Sequence, residues 1–153
     1  MSVYHKFTQK VLLRLEESHI TFPRFSDLKN PDTVQWIYLF SIDHERFYWI
    51  NQKECPLGEP FEMLPIFALR SHHPQHHTYA GLVGFHLHNW YNRHRFCGRC
   101  GTALKPDEKE RMMRCPECGN LILPRINPAV IVAVTDGDRI VMTKYAGRNF
   151  TRY

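Results

Sequence analysis

Apolar and polar positions follow several rhythms along this chain, and each change of rhythm marks a new element. Phe7, Val11, Leu12 and Leu15 recur at helical spacing, which predicts a first helix over residues 7–15. TFPRFSDLKNPD, from Thr21, carries two prolines and several turn formers and reads as loop. VQWIYLFSID, from Val34, and RFYWIN, from Arg46, are dense in β-branched and aromatic residues. The short polar DHE between them predicts a β-hairpin. Residues 54–60 read as loop, and FEMLPIFALR, from Phe61, fits either a strand or a short helix. SHHPQHH, Ser71 to His77, reads as a polar loop. In the following TYAGLVGFHLHNWYNRH, Ala80, Val83, Leu87 and Trp90 recur at helical spacing, although Gly81 and Gly84 lower its helix propensity. Near the end, AVIVAVTDGDRIVMTKY sets two β segments about Asp136-Gly137, a strong hairpin signal.

These elements predict an α+β fold in four parts: an α+β region over 1–79, a connecting helix over 80–94, a cysteine module over 95–125, and a hairpin over 126–153. Two strands rarely stand alone in water. The last hairpin must therefore dock on the chain, pair with another chain, or open a larger sheet.

Composition narrows the class. Hydrophobic residues make up 43% of the 153 and charged residues 23%, which suits a globular chain rather than a disordered one. No run approaches the roughly 18 apolar residues that would span a membrane. The N-terminus lacks a signal-peptide layout, so the reading is cytoplasmic, with thiols kept reduced.

The chemistry concentrates in FCGRCGTALKPDEKERMMRCPECGN, Phe96 to Asn120. Cys97 and Cys100 form one C-x-x-C-G pair, Cys115 and Cys118 the other, with fourteen residues between them. Two intervening residues let a tight turn aim both sulfurs at one ion, and two such turns complete a tetrahedron. Gly98, Gly101 and Gly119 suit positive φ in those turns, and Pro116 presets φ in the second. Four thiolates close the coordination shell, so the expected Zn²⁺ is structural rather than catalytic. A rubredoxin-like iron site is the competing reading, and the short inter-pair hairpin favours zinc.

The formal charge is +5, but four thiolates around one divalent ion leave the site at −2 and the whole chain near +3. Arg95, Arg99, Arg111 and Arg114 then read as local compensation for an anionic site. The inter-pair segment mixes Asp107, Glu108 and Glu110 with its basic residues and lacks an aromatic, which argues against a nucleic-acid surface.

Other candidates have plainer readings. His72, His73, His76 and His77 lack a neighbouring carboxylate in sequence and read as a solvated loop. Cys55 reads as a passive thiol, and Glu16-Glu17 as a solvated face. Trp36, Tyr38, Phe40, Phe47 and Trp49 read as core rather than a stacking platform. Spacing alone reveals no catalytic constellation.

HRFCGRCG, RCPECGNLILPRINPAVIVAV and DRIVMTKYAGR, in that order, resemble the NADH pyrophosphatase, or NAD(H) diphosphatase, branch of the Nudix hydrolases. The resemblance runs from about Ala80 to Tyr153. It implies that residues 1–79 are a Nudix-associated N-terminal domain, and that Cys97, Cys100, Cys115 and Cys118 ligate zinc. It also implies that residues 126–153 are the first strands of a Nudix domain. The family splits NAD(H) into NMN(H) and AMP with Mg²⁺ or Mn²⁺, acts in some members on NAD-capped RNA, and is commonly homodimeric. Its catalytic box, G-x5-E-x7-R-E-U-x-E-E-x-G-U with U a bulky aliphatic, is not present in these 153 residues. The resemblance thus implies the N-terminal and zinc-ribbon portion of such an enzyme, non-catalytic by itself. The alternative is a zinc-ribbon module that binds nucleic acid or a protein partner.

Overall fold

The computed structural model describes residues 10–28, 30, 32, 36–50, 57 and 59–143. Its first element corrects the helix expected over 7–15. Lys10–Glu16 form strand β1, which pairs antiparallel with β2 (His19–Thr21) on one side and β5 (Glu62–Pro65) on the other. The reason lies in burial. Val11 and Leu13 face one core while Leu12 faces another, and all three are almost fully enclosed. A strand covered on both faces loses its polar-apolar alternation, so its pattern can mimic a helical stripe. Phe7 lies outside the described residues.

The next hairpin forms as expected from β3 (Trp36–Ile42) and β4 (Glu45–Ile50), joined by a turn at Asp43-His44. A register shift between Tyr38 and Phe40 bulges β3. Phe47 and Trp49 are buried, Trp36 and Phe40 half-buried, and Tyr38 exposed, so most of this aromatic set is core. FEMLPIFALR resolves into both of its options, β5 followed by a short 3₁₀ helix over Ile66–Ser71.

Helix α1 spans Gln75–Arg93, so Gln75, His76 and His77 of the expected histidine loop form its first turn instead. It covers the sheets through Ala80 and Leu87, which join Leu39, Phe47, Trp49 and Leu69 in the main core. Gly81 explains itself here. A Cβ at that position would lie 2.5 Å from Leu69 Cδ1 and 3.0 Å from Phe22 Cζ. Glycine costs helix propensity but lets α1 approach the 3₁₀ segment closely.

The C-terminal end of α1 leads into the cysteine module. There β6 (Lys105–Pro106), β7 (Met113–Arg114) and β8 (Leu121–Ile122) form a small antiparallel sheet. The last hairpin is short: β9 (Thr135–Asp136) pairs with β10 (Arg139–Ile140). Asp136 is paired, so the turn sits at Gly137-Asp138, one residue later than the Asp-Gly signal suggests. Gly137, with φ 58°, occupies the first central position of this turn. Ile126, Val130, Ile131 and Val132 precede it exposed, outside any strand. Among the described residues no helix is long and apolar enough to cross a membrane.

Candidate metal centre

The two C-x-x-C-G segments fold as near copies of each other. Cys97 N–H donates to Thr102 O at 2.8 Å, and Gly101 N–H returns to Cys97 O at 2.8 Å. In the second copy Cys115 N–H donates to Asn120 O at 2.9 Å, and Gly119 N–H returns to Cys115 O at 3.1 Å. Closing each loop requires the left-handed region at the glycine, with φ 77° at Gly101 and 69° at Gly119. Gly98 does not adopt positive φ, so only two of the three glycines serve the purpose expected of them.

These turns bring four sulfurs together. Cys97 and Cys118 Sγ lie 3.6 Å apart, Cys100 and Cys115 3.4 Å, and Cys100 and Cys118 3.5 Å. Disulfides need about 2.05 Å, so these are free thiols. A tetrahedron with metal–sulfur bonds near 2.3 Å has edges of about 3.8 Å. These three contacts are slightly shorter than such edges, and all four sulfurs lie within 4.8 Å of one another, close enough to share one ion. Backbone N–H groups of Arg99 and Cys118 approach Cys97 and Cys115 Sγ at 3.4 and 3.5 Å, and Asn120 Nδ2 lies 3.6 Å from Cys97 Sγ.

Electrostatics follow from these contacts. The N–H groups of Arg99 and Cys100 lower the Cys97 thiol to about 6. Thr102, first through its hydroxyl, lowers Cys100. For Cys118 the Asn120 N–H pulls downward, but burial and the three neighbouring sulfurs outweigh it and push the thiol up to about 12. Four thiolates so close cannot all ionise without a cation, and a divalent ion supplies that charge.

The arginines compensate less directly than expected. Arg99 contributes its backbone. Arg114 Nε instead bonds Asp107 Oδ2 at 2.9 Å. Asp107 also accepts from the N–H groups of Lys109 and Glu110, which together with Arg114 hold its carboxyl below the usual range. This carboxylate organises the turn between the cysteine pairs. Beneath the sulfurs, Trp90 of α1 packs with Leu104, Met113, Cys97 and Cys115, anchoring the module to the helix.

A second cluster escaped sequence reasoning. Glu45, at the start of β4, meets His76 and His77 from the first turn of α1. The carboxylate is 31 and 32 positions away along the chain, so nothing in SHHPQHH itself signals it. His72 turns to the Ala68 carbonyl, and the backbone of His73 bridges Ser18 and Ile20. Cys55 lies outside the described residues.

A three-stranded module closed by four cysteines in two knuckle turns is a zinc ribbon. Residues 92–122 match the family model described as the NADH pyrophosphatase zinc ribbon domain. The chain is also similar to the NAD-capped RNA hydrolase NudC of Pseudomonas aeruginosa (strain LESB58), 41% identical over 66 residues, 43% of this chain and 22% of that protein. The protein of the same name from Deinococcus radiodurans is 44% identical over 59 residues, 37% of this chain and 21% of its own length. That from Pseudomonas fluorescens (strain Pf0-1) is 39% identical over 70 residues, 44% and 25% respectively. The chain spans about a quarter or less of the length of these curated relatives. The ribbon and these relatives bear out the resemblance to the NADH pyrophosphatase branch of the Nudix hydrolases.

Proposed function

We propose that Cys97, Cys100, Cys115 and Cys118 hold a structural Zn²⁺, and that the ribbon serves an NAD(H) diphosphatase. The single observation that carries this reading is the match of residues 92–122 to a ribbon of the NADH pyrophosphatase type. The donor set fits zinc, since four soft thiolates at tetrahedral spacing leave no open position for water or substrate. The metal then contributes folding energy, not chemistry.

In this reading residues 1–79 form an N-terminal domain, 80–94 a connecting helix, 95–125 the ribbon, and 126–153 the first strands of a Nudix domain. The exposed apolar residues before β9 support the last assignment, because strands so rich in valine and isoleucine need a sheet to cover them. The substrate is NAD(H) or an NAD-capped RNA end, the latter suggested by the names of the relatives. Hydrolysis of the diphosphate needs Mg²⁺ or Mn²⁺ held by several convergent carboxylates. The 153 residues carry no Nudix box, so these residues alone do not turn over substrate. The working assembly is a cytoplasmic homodimer.

Two measurements test the reading. The purified 153-residue chain, given NADH and Mg²⁺, binds one zinc at the thiolates and shows no turnover; clear turnover would overturn the non-catalytic assignment. A chimera in which residues 80–143 replace the matching segment of the Pseudomonas aeruginosa relative keeps Mg²⁺-dependent NADH cleavage. A folded, zinc-loaded but inactive chimera would count against the diphosphatase reading.

A further inference from the structure

We propose that Glu45, His76 and His77 form a second metal site, a two-histidine, one-carboxylate centre for a divalent transition ion of the zinc class. It lies in the N-terminal half of the chain, on elements distinct from the ribbon.

The argument begins at His77. Its Nδ1 lies 3.0 Å from Ile20 O. A carbonyl oxygen only accepts, so Nδ1 carries the hydrogen and donates. In a neutral imidazole this leaves Nε2 with its lone pair bare. That nitrogen stands 2.9 Å from Glu45 Oε2. Two acceptors at that distance repel each other unless a cation lies between them. One cation is a proton, which makes the pair an imidazolium and a carboxylate. The other is a metal ion.

His76 favours the metal. Its Nε2 lies 3.5 Å from the same Oε2, longer than a normal hydrogen bond. A proton shared with His77 gives no reason for a second imidazole to converge there. Consecutive residues on a helix ordinarily point apart, yet these two rings have centroids 4.5 Å apart and turn toward one oxygen. Donors bound to one ion at about 2.0–2.2 Å stand about 2.9–3.5 Å from each other at octahedral to tetrahedral angles. Both distances from Glu45 Oε2 fall in that span.

The surroundings preorganise the ligands. A metal-bound histidine usually donates its other N–H to a carbonyl or carboxylate, which fixes ring and tautomer; Ile20 O fills that role. The His77 ring is further held by Phe22 at 5.6 Å and Phe47 at 6.2 Å. Glu45 is fixed by pairing with Ile42 across the hairpin. Three protein ligands leave at least one position for water. Glu45 and His77 also line a cavity of about 570 Å³ walled by Phe25, Trp36 and Tyr48, from which such a ligand can approach.

The test is zinc titration of the full 153-residue chain, followed by calorimetry and ¹⁵N NMR of the imidazoles. Two equivalents of Zn²⁺ bind. The second shifts Nε2 of His76 and His77 while Nδ1 of His77 stays protonated. Glu45→Gln, His77→Ala and His76→Ala each keep the first equivalent and weaken the second by more than about tenfold, the lower end of what an outer partner alone is worth. His76→Ala guards against misfolding, because that ring is exposed and bonds no backbone atom among the described residues. Binding of one equivalent only at micromolar free zinc would overturn the proposal. So would a second equivalent that survives in all three variants.

Discussion

At Glu45 one carboxylate answers to two imidazoles, and its titration is the most direct test of that contact. The His77 hydrogen bond depresses the carboxyl in the folded chain. A depressed acid adds stability above its unfolded pKa, near 4.3, and loses it as pH falls through the lower folded value. Without added metal, the ¹³C resonance of Glu45 should therefore titrate below its unfolded value, and His77→Ala should move the midpoint upward. No movement would mean that the contact is not formed in solution. The four cysteines were legible from the sequence because their chemistry is local: two residues per turn set the sulfur pair, and glycine permits the turn. The Glu45 cluster was not legible, because its ligands meet only after the β3–β4 hairpin and α1 have folded against each other.

At the scale of elements, β1 and α1 make opposite lessons. The helical reading of 7–15 puts Val11, Leu12 and Leu15 on the apolar stripe and leaves Leu13 off it. In the strand Leu13 is fully buried. Leu13→Ala should thus cost about 2–5 kcal/mol, measured by chemical denaturation, and a loss below about 0.5 kcal/mol would restore the helical reading. In α1 the periodicity held and the glycines misled, since propensity ignores what a side chain would strike. Gly81→Ala gains about 1 kcal/mol of helix propensity but overpacks the enclosed Leu69 at a cost of about 1–3 kcal/mol. The net expectation is destabilisation by about 1 kcal/mol, relieved by Leu69→Val; a stabilised single variant would refute the close approach. The hairpin around Gly137 was legible in kind, but its register slipped by one residue, because Asp136 pairs with Arg139 instead of turning.

Helix α1 joins the main core to the ribbon core. The main core holds β1–β4, the 3₁₀ segment and α1 as far as Leu87, whereas Trp90, Leu104 and Met113 enclose the cysteines. Tyr91 touches both, stacked on Trp49 with centroids 5.4 Å apart and edge-on to Trp90 at 4.7 Å. The main core is apolar and needs no metal, while the ribbon is too small to hold itself closed without one. Chelation should therefore act unevenly. Removing zinc should abolish hydrogen-exchange protection at Cys97, Leu104, Cys115 and Gly119, while amides of β1, β3 and β4 keep theirs. Trp90 should pass into water and shift its emission to the red, and Trp90→Phe should remove most of that change. Cys115→Ser should reproduce the chelated state without chelator, because it takes away a buried ligand. If chelation instead unfolded both cores together, Tyr91 would be a rigid coupling and not a contact between separable units. If neither core responded, the ribbon would not depend on its metal, and the structural role given to the four cysteines would fail.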